Sequence, residues 1–207
     1  MIKAMNTDPG LWARARQLLE RGELVVIPTD TVYGIAAIAN NPEAVARLQN
    51  AKGRSDGFPP PVLVADAAQA WWLTNPPSVR AGRLAAAFWP GPLTLVLPTE
   101  RRDLSLAGKL GTLGIRVPAH AQLCELLALT GPLAVSSANQ HDQPAATTID
   151  EAIDQLGAAV SLYVDDGPTP GPAPSTVVDC SASNLRILRV GLISEDEILL
   201  AAGGADA

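Results

Sequence analysis

Short apolar runs alternate along this chain with stretches whose apolar residues recur at helical spacing. Leu11, Ala15, Leu18 and Leu19 follow Asp8-Pro9 and end at Gly22, which predicts a capped amphipathic helix. Glu23–Ile27 is short, β-branched and stopped by Pro28, so it predicts a buried strand. Asn41-Pro42 opens a second helix through Val45, Leu48 and Ala51, Val62–Ala65 is strand-like, and Asp66–Leu73 and Ser78–Trp89 are helical. Pro90-Gly-Pro92 punctuates the pattern before the strand Leu93–Leu97. Leu113–Val117 predicts a strand, Ala119–Leu129 a helix and Pro132–Ser136 a strand. Thr148 with Glu151, and Ser194 with Glu197, have capping-box spacing, so a helix begins at each. Strands at Leu162–Val164, Thr176–Val178 and Leu185–Arg189 lie between those two helices.

Helices and apolar strands in alternation make the class α/β. The strands at Leu93 and Leu113 have no helical pattern between them, nor do those at Thr176 and Leu185. Hairpins there predict a mixed parallel and antiparallel sheet flanked by helices. We expect a single domain over residues 1–207, with its core over about 8–200 and no additional C-terminal domain. Asp165–Pro174 is the richest proline and glycine stretch, and only 33 residues follow it, so it reads as a loop over a site rather than a linker.

Composition narrows the function. The chain is 47% hydrophobic and 17% charged, with a net charge of −6. That balance excludes a broad basic surface for nucleic acid, and eight aromatic residues supply no stacking platform for single strands. Cys124, Cys180, His120 and His141 show no metal-ligand spacing, and both cysteines read as small core residues. The first residues have no signal-peptide pattern and no apolar run is long enough to span a membrane, so a cytoplasmic location is expected.

Three segments place polar residues at the ends of apolar strands, where open α/β sheets hold ligands. Pro28-Thr-Asp-Thr-Val-Tyr-Gly34 is either a ligand contact or a polar turn with Asp30 bonding its own backbone. Lys52-Gly-Arg54 suits the C-terminus of a helix dipole, or equally a polyphosphate clamp. Ser136-Ser-Ala-Asn139 suits phosphate oxygens or a nucleobase edge, and no G-x-S-x-G elbow makes its serines nucleophiles. Arg116 and Arg189 interrupt apolar strands, reaching either solvent or an anion in a cleft, and Ser175 adds a hydroxyl after the proline loop. With no Walker A or G-x-G-x-x-G segment, any nucleotide is held without a standard phosphate loop.

In order, PTDTVYG, K-x-R, GIRVP, SSAN, STVVD and ILRVG resemble the YrdC-like threonylcarbamoyl-AMP synthases, from about residue 20 to residue 198. The resemblance implies a twisted mixed sheet wrapped by helices around a deep, positively charged cleft, in the short form of the family. It implies a nucleotidyltransferase joining L-threonine, bicarbonate and ATP into threonylcarbamoyl-AMP and pyrophosphate. A partner transferase then carries the threonylcarbamoyl group to the adenosine beside the anticodon of certain tRNAs, with a weak tRNA contact by this chain possible. Matched by position, Thr31, Arg116 and Ser175 hold threonine, and Lys52, Arg54, Thr112, Ser137, Asn139 and Arg189 hold ATP. Lys52 and Arg54 are the catalytic cations, and magnesium accompanies the pyrophosphate with no ligand assignable. Two departures from the family pattern flank the expected ATP site. One is Ser55 with Pro59-Pro60, and the other is the Gln140–Gln143 loop. The competing readings are a non-catalytic RNA- or nucleotide-binding module, and carbamoyl transfer to another acceptor.

Overall fold

The computed structural model describes residues 2–5, 7–53, 59–101, 111–171 and 173–204. Its strands are β1 (Ile2–Met5), β2 (Val25–Ile27), β3 (Gly34–Ile38), β4 (Val62–Leu63), β5 (Leu93–Pro98), β6 (Thr112–Arg116), β7 (Leu133–Ser137), β8 (Leu162–Asp165), β9 (Thr176–Asp179) and β10 (Arg186–Arg189). They join in one sheet in the order β1-β8-β2-β3-β7-β4-β6-β5-β9-β10. The helices are α1 (Leu11–Glu20), α2 (Pro42–Ala51), α3 (Ala67–Leu73), α4 (Val79–Phe88), α5 (Ala121–Thr130), α6 (Ile149–Leu156) and α7 (Glu195–Ala202).

The two expected hairpins form, with β5 antiparallel to β6 and β9 antiparallel to β10. The parallel pairs β4·β6 and β5·β9 lie beside them, so the sheet is mixed. Both capping boxes form, at Thr148 with Glu151 and at Ser194 with Glu197. Asn41 caps α2 through its side chain as expected. Helix α1 differs from expectation. It starts from Gly10 in a left-handed conformation with no side-chain cap, and Asp8 contributes only its carbonyl, to the Leu11 N–H.

The hydrophobic pattern explains which sheet faces are covered. In the β8-β2-β3-β7 half both faces carry helices. Val25, Ile27 and Leu162 pack with α1 and α5, while Val26, Ile35 and Tyr163 pack with α2 and α6. Strands buried on both faces read as continuous apolar runs, as Val25–Ile27 does. In β5 the pattern alternates instead. Leu93, Leu95 and Leu97 join Leu113, Ile115 and Val178 under α3, α4 and α7, leaving Thr94 and Val96 on the opposite face. Among the described residues no helix covers that opposite face, and it is where the chain keeps its unusual polar residues.

Candidate active site

A cavity of about 630 Å³ lies on this face. Its floor is built by Thr112, Gly114 and Arg116 of β6, Thr94 and Val96 of β5, and Val177 and Asp179 of β9. Period-two alternation puts these side chains on one face while their neighbours enter the core. The wall is made by Thr29 and Thr31–Gly34 of the polar turn, Pro59–Pro61, Ser136 and Ser137 at the end of β7, and Pro174, Ser175, Leu188 and Arg189.

Arg116 is only 6% exposed and its guanidinium is held on three sides. Nε donates to the Gly91 carbonyl at 2.9 Å, Nη1 to Thr31 Oγ1 at 3.1 Å, and Nη2 to Asp30 Oδ1 at 2.6 Å. Burial pushes the Arg116 pKa down and the Asp30 charge opposes that shift, so the cation is kept in place by its partner. Three of the five N–H groups are engaged, leaving one on each Nη for a ligand. Asp30 thus bonds Arg116 and is not a self-bonded turn carboxylate. Its Oδ2 is buried with no partner among the described residues.

The hydroxyls of the turn form a directed chain. Thr29 Oγ1 donates to the Val32 carbonyl at 2.6 Å, so in its 3.0 Å contact with Thr31 Oγ1 the Thr31 hydroxyl is the donor. Thr31 Oγ1 also accepts from Arg116 and keeps one lone pair, so toward a ligand it acts as an acceptor. Across the cleft Ser175 Oγ lies 2.9 Å from Thr94 Oγ1 and accepts from Arg189 Nη2 at 3.2 Å. Arg189 Nε and Nη2 also donate to the Ser175 carbonyl, at 3.2 and 2.9 Å.

Gly191 makes this last contact possible. A Cβ there would stand 2.1 Å from the Pro174 carbonyl oxygen and 2.6 Å from the Ser175 carbonyl carbon. The STVVD and ILRVG segments therefore form one structural unit, clasped also by Gly191 N–H to Thr176 Oγ1 at 2.9 Å. The start of the proline loop is tied to the PTDTVYG turn. Tyr33 Oη donates to the Gly167 carbonyl at 2.6 Å and accepts from the Asp166 N–H at 3.1 Å. Burial pushes the Tyr33 pKa up to about 12, which keeps that phenol a donor. Pro174, at the far end of the loop, lines the cavity, consistent with a loop over a site.

Six of the expected site residues therefore line one cavity, namely Thr31, Thr112, Arg116, Ser137, Ser175 and Arg189. Lys52 and Asn139 are not among the residues that line it. Lys52 is 3% exposed, and its ammonium donates to the Ser137 carbonyl at 2.5 Å, the Asn139 carbonyl at 2.7 Å and Asn139 Oδ1 at 3.2 Å. An ammonium has three protons, and these bonds direct it into the β7–α6 loop. Asn139 Nδ2 donates to the carbonyls of Gln140 and Gln143 at 2.7 and 2.8 Å, so it shapes the loop on which this sequence departs from the family pattern. Arg54 and Ser55 lie outside the described residues. Sequence reasoning missed Asp30 as the partner of Arg116, since 86 residues separate them and no spacing announces the pair. It also missed Asp179, whose signal was its period-two position after Ser175.

Among the described residues no group of three His, Cys, Asp or Glu side chains converges as a metal site, and no helix is long and apolar enough to cross a membrane. The cysteines are free, Cys180 buried and Cys124 half-buried with its thiol directed to the Pro118 carbonyl.

Comparison with known proteins is consistent with this geometry. The Sua5_yciO_yrdC family model, described as "Telomere recombination", matches residues 17–191. A Mycobacterium leprae protein provisionally named for threonylcarbamoyl-AMP synthase activity is 46% identical over 187 residues, spanning 88% of this chain and 83% of its own length. The Bacillus subtilis threonylcarbamoyl-AMP synthase is 38% identical over 93% of this chain, which spans 56% of that longer protein. The crystal structure of Pyrococcus abyssi Sua5 complexed with L-threonine superposes with a TM-score of 0.89 at 33% identity, covering 98% of this chain and 60% of that one. With six motifs in order along its sequence and a family match over residues 17–191, the chain belongs to the Sua5/YciO/YrdC family.

Proposed function

We propose that this chain makes threonylcarbamoyl-AMP and pyrophosphate from L-threonine, bicarbonate and ATP. The observation that carries this reading is the buried Arg116–Thr31 pair lining an open cleft. The two remaining Nη–H groups of Arg116 donate to a threonine carboxylate, and a charge-assisted pair of this kind is about twice as strong as a neutral one. The lone pair left on Thr31 Oγ1 accepts a hydrogen bond from the threonine β-hydroxyl, and Ser175 closes the other side. Arg189, Thr112 and Ser137 line the region assigned to ATP, while Lys52 and Asn139 act by holding the loop that carries Ser137. Arg54 is assigned to ATP on its motif alone.

The chemistry needs no enzyme nucleophile. Bicarbonate takes up a proton and loses water to give CO2; the threonine amine adds to it and loses a proton, giving a carbamate whose oxygen attacks the α-phosphorus. The bond to the β-phosphate oxygen breaks and pyrophosphate leaves. Positioning and charge neutralisation supply most of the catalysis in such transfers. Magnesium, carried by the triphosphate, would neutralise the charge that develops on the departing pyrophosphate. We place the reaction in the cytoplasm, with the product passed to a tRNA-modifying transferase. The net charge of −6 makes any tRNA contact by this chain weak.

Pyrophosphate release measured with threonine and bicarbonate omitted in turn tests the reading. Release should require both. Release without threonine refutes it, and ATP binding without release indicates a binding module. Valine should be turned over far more poorly than threonine, because Thr31 would lose its hydrogen-bond donor. Serine, lacking one methyl, should lose only about 1–3 kcal/mol. Equal rates for valine and threonine would exclude a hydroxyl-reading pocket.

A further inference from the structure

We propose that Asp179 accepts a hydrogen bond from the nucleoside end of ATP and so sets which way round the nucleotide lies in the cleft. The proposal rests on the reading of this cleft as an ATP site.

Asp179 ends β9 on the same face as Val177, and it is the one carboxylate among the described residues that line the cavity. Two arginines, Arg116 and Arg189, line it as well. Ser181 fixes the carboxylate, with its N–H and hydroxyl donating to Oδ1 at 2.9 and 2.6 Å. The other oxygen accepts from no described side chain or backbone group. The strand registers put Gly114, Val96 and Asp179 in one row across the floor. Gly114 has no side chain, and Pro61 Cβ lies 3.5 Å from where a Cβ would stand. The row is thus a low apolar strip that ends in a fixed anion.

Those features select one part of ATP. A carboxylate repels the triphosphate, so the phosphates belong nearer Ser137 and Arg189. An apolar strip accepts the face of a base. The free carboxylate oxygen then requires an N–H or O–H donor, and the nucleoside offers both, as the exocyclic amine of adenine and the ribose hydroxyls. Ser175, just before β9 at the threonine end, and Asp179, at the end of β9, are four residues apart, about 13 Å at the usual strand rise. That separation leaves room for the nucleoside between the reacting phosphorus and the carboxylate.

Isothermal titration of wild type, Asp179→Ala, Asp179→Asn and Ser181→Ala tests the assignment. The ligands are ATP, ITP, 2′-deoxy-ATP and inorganic triphosphate, each with magnesium and with EDTA. Asp179→Ala should weaken ATP about tenfold to a hundredfold, the range for hydrogen bonds to charged groups, and leave triphosphate unchanged or tighter. Ser181→Ala should weaken ATP in the same direction by less. If the amine is the donor, wild type rejects ITP and Asp179→Asn accepts it. If a ribose hydroxyl is the donor, 2′-deoxy-ATP binds wild type as poorly as ATP binds Asp179→Ala.

Unchanged ATP affinity in Asp179→Ala overturns the proposal. Equal losses of ATP and triphosphate overturn it too, as does a loss that vanishes in EDTA, which would assign Asp179 to a cation. If wild type binds no ATP at all, the ATP reading itself fails, an outcome distinct from the others.

Discussion

Arg116 and Arg189 reach one cleft from different depths, Arg116 in the interior of the sheet on β6 and Arg189 on the exposed edge strand β10. Arg116 is buried against Asp30, Thr31 and the Gly91 carbonyl. Arg189 is exposed and rests on the neutral oxygens of Ser175. A buried cation needs a partner, because leaving water without one is costly. Asp30 supplies it and at the same time cancels the charge, so Arg116 offers a ligand direction more than field. That suits one small carboxylate read by geometry. Arg189 sits in water that screens it, which suits a flexible polyanion.

The comparison breaks most directly at Arg116. Arg116→Ala leaves Asp30 buried without its cation, and removal of one partner of such a pair costs about 3–5 kcal/mol. Thermal melting should show a fall of many degrees. Arg116→Lys keeps the charge but loses the fork, so it should melt closer to wild type while binding threonine far more weakly than ATP. Arg189→Ala should melt nearly as wild type. Equal destabilisation by the two alanine variants would show that depth does not separate the arginines.

Gly191→Ala carries the next largest effect, at the exposed end. The new methyl meets backbone rather than a movable side chain, so Pro174–Thr176 must shift. Overpacking of this kind costs about 1–3 kcal/mol. The shift should also carry Ser175 and Arg189 out of register, weakening threonine and ATP together, whereas Arg116→Lys separates the two. Titration of both substrates into both variants checks this.

Much of the fold could be read from the chain because its signals are local. Capping spacing at Thr148 and Ser194, and the alternation in Leu93–Leu97, depend on neighbours within four residues. Strand β3 left less trace. Gly34–Ile38 is buried at four of five positions, so it does not alternate, and it directly follows a polar turn. Strand β1 is largely exposed and gains its place only by pairing with β8, more than 150 residues away. The site shows the same division. Motif order found the residues lining the cleft, but the Arg116–Asp30 pairing and the burial of Lys52 depend on tertiary contacts 86 and 85 residues apart.

Lys52 tests where that division falls. Its contacts to Ser137 and Asn139 hold the Ser137–Asn139 loop, so Lys52→Met should lower the melting temperature even without nucleotide. Lys52→Met and Asn139→Ala share those bonds, and the double variant should cost less than the sum of the singles, with coupling of about 0.5–3 kcal/mol. If Lys52→Met melts like wild type and yet binds no ATP, its ammonium reaches the nucleotide and the clamp reading of K-x-R is correct.

The smallest expected effect applies the same contrast between buried and exposed groups to a thiol. Burial, helped by the nearby charge of Asp179 and opposed by Arg80, pushes the Cys180 pKa up from 9 to about 11. The fold therefore favours the neutral thiol. The stability this contributes is fully present below pH 9, where the unfolded chain is also neutral, and is lost as pH rises through about 11. Tyr33 and Tyr163, raised to about 12, add losses of the same sign at higher pH, so the useful quantity is a difference. Urea midpoints of wild type and Cys180→Ala should converge between pH 9 and 11, because the variant lacks the thiol that titrates there. At pH 8 alkylation of Cys180 should lag an unfolded cysteine by about a hundredfold, following its smaller thiolate fraction. Asp179→Asn, by removing the nearby charge that raises this pKa, should speed the labelling slightly. Midpoints that stay parallel, with labelling as fast as in the unfolded chain, would mean that Cys180 is not held in a dry environment.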